Sequence, residues 1–219
     1  MPDIWLIRHG QAGDVLGDYD RLSDLGVLQA AAAGARWQHL RPVSRVLTGA
    51  MVRHHRTRAV FEEAFGALPT AAEDPRWNEF DHLDVIQVAQ RAGLKPADSG
   101  REGFMRFFLT AMTRWSEGRH DEEYVEPYAA FQARVEAGVR DLADDLAPGE
   151  VALVFTSGGA IAAVCRSILG LSPLRAFEIN TVLVNTGFTR LRVGRGRVSL
   201  ATLNAHPHID AQPGLLTLF

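Results

Sequence analysis

The sequence predicts an α/β protein, a three-layer sandwich in which helices cover both faces of a mostly parallel central sheet. Two apolar runs, residues 4–7 and 151–155, have the length and composition of strands that are buried on both faces. Strands alternate with helical segments in both halves of the chain, and such strands pair in parallel through right-handed crossovers. Because 219 residues are enough for one sizeable core, we expect a single domain over residues 1–219.

The first part of the chain supplies two strand–helix units. Residues 4–7 form the first strand, and Ser23 is a suitable N-cap for an alanine-rich helix over about residues 25–37. Residues 45–48 form a second strand, and a second helix follows over about residues 50–65. This order predicts the parallel part of the sheet.

The middle of the chain has helical periodicity and no strand pattern. Residues 74–82 are predicted to form a polar loop that contains large aromatic side chains. Five large apolar residues then recur at helical spacing, which predicts one packed helix face: Phe104, Phe107, Phe108, Met112 and Trp115. Pro127 suits the start of a further helix. We expect residues 84–126 to form a helical, lid-like insertion over the active-site end of the sheet, within the same domain.

The alternation of strands and helices resumes in the last third of the chain. Residues 156–159, Thr-Ser-Gly-Gly, join the second buried strand directly to a helix that ends before Pro173. Residues 187–193 and 197–203 predict two strands joined by a short glycine turn, which is typical of a hairpin at a sheet edge. The tail after Asn204 is expected to be irregular.

Composition and charge argue against several classes of partner. The formal net charge of −3 provides no overall attraction to nucleic acid or to an anionic membrane surface. No apolar run is long enough to span a membrane, and the first run is too short for a signal peptide. Cys165 is the single cysteine, so an intramolecular disulfide is impossible and a cysteine-based zinc site is not expected. We therefore expect a cytoplasmic protein.

Two strand ends carry groups that suit an anion. The first strand ends in Arg8-His9-Gly10, and open α/β sheets place their chemistry at such ends. The turn at residues 156–159 puts two hydroxyls and two glycines at a helix N-terminus, where free N–H groups and the helix dipole favour negative charge. The sequence has neither a P-loop nor a complete dinucleotide-binding glycine motif. Taken singly, both ends also fit solvated loop residues or tight packing.

A basic run opens the second helix. Arg56 and Arg58 fit a solvated helix face, and the adjacent His54 and His55 point to different faces, which makes them a poor metal pair. One arginine of the run is a candidate partner for Arg8, since two guanidinium groups offer forked hydrogen bonds to a phosphate and offset its charge.

An ordered set of motifs resembles the histidine phosphatase superfamily, which includes the cofactor-dependent phosphoglycerate mutases. Residues 6–10, Leu-Ile-Arg-His-Gly, resemble its signature. Residues 22–30 resemble its L-[ST]-x-x-G-x-x-Q-A segment, and residues 49–57 resemble S-x-L-x-R-A-x-x-T. Trp77-Asn78-Glu79 resembles the loop that bears the acidic residue, and residues 151–161 match the strand and turn written V-S-H-G-G-x-I. The ordered set is far more specific than the first motif alone.

The resemblance implies a chemical role for each matching residue. His9 would be the nucleophile that forms a phosphohistidine, since neutral imidazole has an available nitrogen near pH 7. Arg8 and Arg53 would bind the phosphoryl oxygens, and Glu79 would protonate the leaving oxygen and then assist water. The implied protein is a phosphatase for a small phosphorylated substrate that requires no metal and no cofactor.

One departure from the family pattern affects the site itself. Ser157 stands where the pattern has its second histidine, and it can bind a phosphate oxygen without supplying positive charge. His82, three residues after Glu79, is the preferred candidate to replace that histidine, ahead of His206 and His208. An ordinary exposed loop histidine is the competing interpretation of His82.

Further departures argue against mutase activity on phosphoglycerate. Gly49 replaces a serine, Val15 stands where many mutase-like members have asparagine, and the loop between His9 and Leu22 is short. Three alternatives to a small-molecule phosphatase stay open: a catalytically weak phosphate-binding protein, a phosphoglycerate mutase-like enzyme and a protein phosphohistidine phosphatase. The helical insertion weighs against the last, because a lid suits small substrates better than a protein surface.

Overall fold

The fold is described from a computed structural model, which covers residues 1–13, 20–38, 42–194, 196–210 and 212–218. The strands are β1 (Asp3–Arg8), β2 (Arg45–Thr48), β3 (Ala72–Glu73), β4 (Val151–Thr156), β5 (Phe188–Gly194) and β6 (Arg197–Ala205). The α-helices are α1 (Asp24–Trp37), α2 (Val52–Phe65), α3 (His82–Arg91), α4 (Arg101–Ser116), α5 (Tyr128–Asp145), α6 (Gly158–Leu169), α7 (Pro173–Val182) and α8 (Pro207–Asp210).

The strands form one sheet in the order β3-β2-β4-β1-β5-β6, with the two predicted buried strands side by side at its centre. Neighbours from β3 to β1 are parallel, whereas β5 runs antiparallel to β1 and β6 antiparallel to β5. Arg8 lies opposite Thr156 in one pair of strands, and Thr48 lies opposite Phe155 in the next. The residues that follow β1, β2 and β4 therefore meet at one end of the sheet.

The central strands divide the core between the two faces of the sheet. Ile4 and Leu6 of β1 pack on the face covered by α3 to α7, whereas Trp5 and Ile7 pack on the face covered by α1 and α2. Such alternation follows from the pleat, which points successive side chains to opposite faces. The predicted three-layer α/β sandwich with a mostly parallel sheet is confirmed.

A close backbone approach fixes α1 against the turn after β1. Ser23 caps α1, because its Oγ accepts the Gly26 N–H at 3.0 Å. A Cβ on Gly10 would lie 2.5 Å from the Gly26 carbonyl oxygen, and one on Gly26 would lie 2.2 Å from that of Gln11. Glycine is required at both positions for the helix to rest directly on the turn.

The middle region is helical, as predicted. Residues of α4 pack against the neighbouring helices with three aromatic or sulfur-containing side chains buried: Phe107, Met112 and Trp115. Phe108 meets Phe177 of α7 edge-on at 5.9 Å, whereas Phe104 is 44% exposed. The assignment of residues 84–126 as a lid stays a prediction.

Three elements were not predicted. The two-residue β3 is exposed and too short to show alternation. Pro173, interpreted as a helix stop, instead begins α7, with Ser172 as its N-cap, because proline is tolerated in a first helical turn. The tail is not wholly irregular, since α8 buries Ile209. Val15 and the centre of the glycine turn at residue 195 lie outside the described residues.

None of the helices among the described residues is long and apolar enough to cross a lipid bilayer.

Candidate active site

His9 lies in the turn after β1, where the backbone holds it firmly. Its N–H donates to the Thr156 carbonyl at 2.9 Å, and its own carbonyl accepts from Asn185 Nδ2 at 3.1 Å. His9 Nδ1 lies 2.7 Å from the Gly10 carbonyl oxygen. Because a carbonyl oxygen can only accept, Nδ1 carries the proton in this contact. In the neutral ring, Nε2 therefore keeps the lone pair that a nucleophile needs.

Burial and positive charge keep the imidazole of His9 neutral. The side chain is almost fully buried, and this burial lowers its pKa well below the usual value. The positive charges of Arg53 and Arg8 lower that pKa further. Both arginines are themselves buried, with 4% and 9% of their surface exposed. Two buried guanidinium groups near a neutral imidazole favour the binding of an anion.

The arginines are held by groups on other elements. Arg8 Nη1 donates to the Leu183 carbonyl. Arg53 Nη1 donates to Asp20 Oδ1 at 2.9 Å, while Asp20 Oδ2 accepts the Val52 N–H at 3.0 Å. Asp20 thus caps the start of α2 and orients Arg53 at the same time.

The start of α6 closes the site on the β4 side. Ser157, the N-cap residue, places its Oγ 2.7 Å from His54 Nε2. A Cβ on Gly158 would lie 2.2 Å from Asn180 Oδ1 and 3.5 Å from Arg8 Nε. The helix N-terminus therefore meets the arginine without an intervening side chain.

Glu79 is bound at the same helix N-terminus. Its Oε2 accepts the Gly159 N–H at 2.9 Å, and its Oε1 accepts the Phe80 N–H at 3.1 Å. A Cβ on Gly159 would lie 2.0 Å from Glu79 Oε1. The sequence predicts that negative charge is favoured at this helix N-terminus. At Gly159 the carboxyl group of Glu79 occupies this position and accepts the N–H.

Arg134 of α5 supports the loop that carries Glu79. Its Nη1 donates to the carbonyls of Arg76 and Asn78, both at 2.8 Å, and its Nη2 donates to that of Glu79 at 3.3 Å. An ion pair with Glu126, 2.6 Å from Arg134 Nε, holds the guanidinium in place. One partly buried guanidinium group therefore binds three carbonyls of the loop that carries Glu79.

His54 and His55 point to different faces of α2, as predicted. His55 is partly exposed and lies 2.9 Å from Glu73. His54 is fully buried, and its burial lowers its pKa to about 3. The ring of His54 lies beside that of His9, with 5.8 Å between centroids and 36° between planes. The sequence indicates no role for His54, yet in the structure its ring lies beside that of His9 and its Nε2 contacts Ser157 Oγ.

His82 is the first residue of α3 and is half-buried. Burial lowers the pKa of His82 below its ordinary value, and the nearby carboxylate of Glu79 offsets part of this shift. His82 therefore lies close enough to Glu79 to interact with it electrostatically. His208 lies on the other side of the β1 turn, with Nε2 2.9 Å from Thr186 Oγ1. His206 contacts the Asn204 carbonyl. The role of His82 as a replacement for a second histidine stays a prediction.

Some site residues carried little signal in the sequence. Asp20 lies in a loop without a motif, and Arg134 resembles any polar residue on a helix. Thr57 belongs to a recognised motif, four residues after Arg53, which is one helical turn. Its Oγ1 accepts the Gly10 N–H at 3.1 Å and donates to the Arg53 carbonyl at 2.7 Å.

The sequence matches the histidine phosphatase superfamily (branch 1) over residues 4–206, and the chain therefore belongs to this family. Membership supports chemistry of the phosphatase type. Among curated proteins no significant match is found.

Three solved structures show how widely this fold is shared. A phosphoserine phosphatase from Entamoeba histolytica, in complex with phosphoserine, is 17% identical with a TM-score of 0.63, covering 95% of this chain and 100% of its own. A phosphoglycerate mutase from Bacillus anthracis is 13% identical with a TM-score of 0.69 and 95% coverage of both chains. A mycobacterial glucosyl-3-phosphoglycerate phosphatase is 22% identical with a TM-score of 0.62, covering 93% of this chain and 98% of its own. At these identities the likeness establishes the fold.

Proposed function

We propose that the chain is a phosphatase that hydrolyses a small phosphomonoester through a phosphohistidine on His9, without a metal ion. The observation that carries the proposal is the hydrogen bond from His9 Nδ1 to the Gly10 carbonyl, which leaves Nε2 unprotonated. The nearby charges of Arg8 and Arg53 favour both the neutral ring and a bound phosphoryl group.

In the first step, His9 Nε2 attacks phosphorus and forms a P–N bond while the P–O bond to the leaving group breaks. Arg8 and Arg53 stabilise the charge on the phosphoryl oxygens, a role that a metal ion fills in other phosphoryl-transfer enzymes. Glu79, in its protonated form, donates its proton to the leaving oxygen and becomes a carboxylate.

In the second step, water attacks the phosphohistidine. The carboxylate of Glu79 accepts a proton from this water, and the P–N bond breaks to release phosphate and neutral His9. The hydrogen bond from the Gly159 N–H holds the carboxyl group of Glu79 at the α6 N-terminus in both steps.

A small substrate is favoured by the packing around Glu79. The neighbouring Phe80 stacks near Trp115 of α4 at 4.9 Å and meets Phe131 at 5.6 Å. The helical region therefore packs against the acidic loop, and we infer that a lid formed there favours a small substrate over a large protein surface.

The test compares wild type, His9→Ala and His55→Ala on an aryl phosphate in the presence of EDTA. His55 is a matched control, because it neighbours the site on the same helix but faces Glu73. We expect His9→Ala to abolish turnover, His55→Ala to retain it, and acid-labile phosphate to be trapped on wild-type His9. Turnover that survives His9→Ala would refute the mechanism, and loss of activity in EDTA would refute metal independence. Phosphate binding without turnover would instead identify a phosphate-binding protein.

A further inference from the structure

The buried pair of His54 and Ser157 is not explained by the packing of α2 or by the capping of α6. Ser157 is the N-cap residue of α6, where a serine usually accepts an N–H of the first turn. Here the side chain makes no such cap bond, and its Oγ instead lies 2.7 Å from His54 Nε2. The Ser157 hydroxyl therefore contacts the imidazole of His54 on α2 and does not cap α6.

Gly49 supplies the space that His54 occupies. A Cβ at residue 49 would lie 2.3 Å from His54 Nδ1 and 2.8 Å from Asn78 Oδ1. Residue 49, in the loop after β2, therefore has to be glycine for the imidazole of His54 to take this position. The motif that residues 49–57 resemble has serine, arginine and alanine where this chain has Gly49, Arg53 and His54. Arg53 matches the motif, whereas Gly49 and His54 depart from it, and the glycine leaves the space that the histidine ring fills.

The pair lies beside the nucleophile. The rings of His54 and His9 are 5.8 Å apart between centroids. Ser157 directly follows Thr156, whose carbonyl accepts the His9 N–H. A phosphoryl group on His9 would thus lie next to the hydroxyl of Ser157.

We propose that His54 is a positioning residue, which fixes the Ser157 hydroxyl as a hydrogen-bond donor to the phosphoryl group on His9. This inference rests on the proposed function and assigns to two residues the work expected of a histidine at position 157. The proposal requires the tautomer of His54 that carries its proton on Nε2, because His54 then donates to Ser157 Oγ and leaves the serine proton for a phosphoryl oxygen.

The experiment uses His54→Phe, which keeps an aromatic ring, together with Ser157→Ala and the double variant. His55→Phe is the matched control, and His82→Ala tests the competing histidine. For each folded variant, kcat/KM on an aryl phosphate and the Kd of inorganic phosphate are measured. The phosphate titration does not depend on turnover. If the wild type proves inactive, the proposed function fails while phosphate affinity still tests the pair.

We expect each single variant to lower kcat/KM about 100-fold, as loss of one preorganised donor does. Phosphate affinity is expected to fall about tenfold, as for a lost hydrogen bond to a charged group. Because the residues act as one unit, the double variant should match either single variant within about twofold. His55→Phe should remain at the wild-type level.

Three results would overturn the proposal. The first is a folded His54→Phe variant with wild-type values of both quantities. The second is a double variant in which the two losses multiply. The third is the same loss in His82→Ala but not in His54→Phe. Should His54→Phe fail to fold, Gly49→Ala displaces the imidazole by another route, and its effect on phosphate affinity should equal that of Ser157→Ala.

Discussion

Adding one methyl group at Gly159 is expected to displace the carboxylate of Glu79. A Cβ there would lie 2.0 Å from Glu79 Oε1 and 2.8 Å from Phe80 Cε1. Since the Phe80 ring is packed among other aromatic rings, the carboxylate has to withdraw, by about 1 Å before the separation reaches 3.0 Å. This movement disrupts the 2.9 Å hydrogen bond from the Gly159 N–H.

The size of the effect follows from the role of Glu79 as a proton donor. A shift of about 1 Å in a reacting group costs about 100-fold in rate. We expect this loss in kcat for an alkyl phosphate, whose leaving oxygen requires a proton. A nitrophenyl phosphate has a leaving group that needs little protonation, so its kcat should fall by about tenfold or less.

Gly159→Ala should lower the free energy of unfolding by about 1–3 kcal/mol, because the added methyl group also crowds the packed Phe80 ring at 2.8 Å. Alanine in a helix is favoured over glycine by about 1 kcal/mol. The weakened hydrogen bond costs about as much. Urea unfolding of Gly159→Ala shows whether the variant is folded under the assay conditions, so that a loss of activity can be assigned to the site.

The assay measures kcat on both phosphates for wild type, Gly159→Ala and Glu79→Gln. Gly214→Ala is the control, because a Cβ at that position meets no atom within 4 Å. The two site variants should show the same dependence on the leaving group. Equal losses on both substrates, or an unchanged rate on the alkyl phosphate, would refute the assignment of Glu79 and its link to Gly159.

Two further predictions concern pH. Arg53 lowers the pKa of His9, so Arg53→Ala should move the acid limb of kcat/KM to higher pH, and an unmoved limb would contradict the electrostatic argument. Burial lowers the pKa of His208 from 6.5 to about 4, so the unfolded chain binds the proton more tightly and stability falls as pH drops through this window. The loss is about 1.4 kcal/mol per pH unit. In urea unfolding, His208→Gln should therefore lose about 1.6 kcal/mol less than wild type between pH 6.5 and pH 5.

Most strands of the central sheet could be predicted from the sequence, because buried strands form continuous apolar runs. β1 and β4 are buried at every position, and their ends are marked by motifs. The pattern could not reveal β3, whose two residues are exposed and are held by pairing with β2. At Pro173 the local signal was ambiguous, because proline both ends one helix and suits the first turn of the next.

For the site, motifs identified residues but not their contacts. The pairing of β1 and β2 with β4 brings His9 and His54 to Ser157, although His54 and Ser157 lie far apart in the sequence. The adjacency of two histidines predicted that they face apart, and this was confirmed. Which of the two would be buried depended on Gly49 and on strand register, neither of which is visible in local periodicity.

The hydrogen bonds from Arg134 to the loop that carries Glu79 have a thermodynamic consequence for substrate recognition. Since this guanidinium already fixes the loop carbonyls, the incoming substrate does not have to order them, and its binding energy remains available for the transition state. The anchor comes from α5, behind the site. Substitutions on the outer faces of α3 and α4 can therefore change substrate specificity without changing the position of the Glu79 carboxyl group.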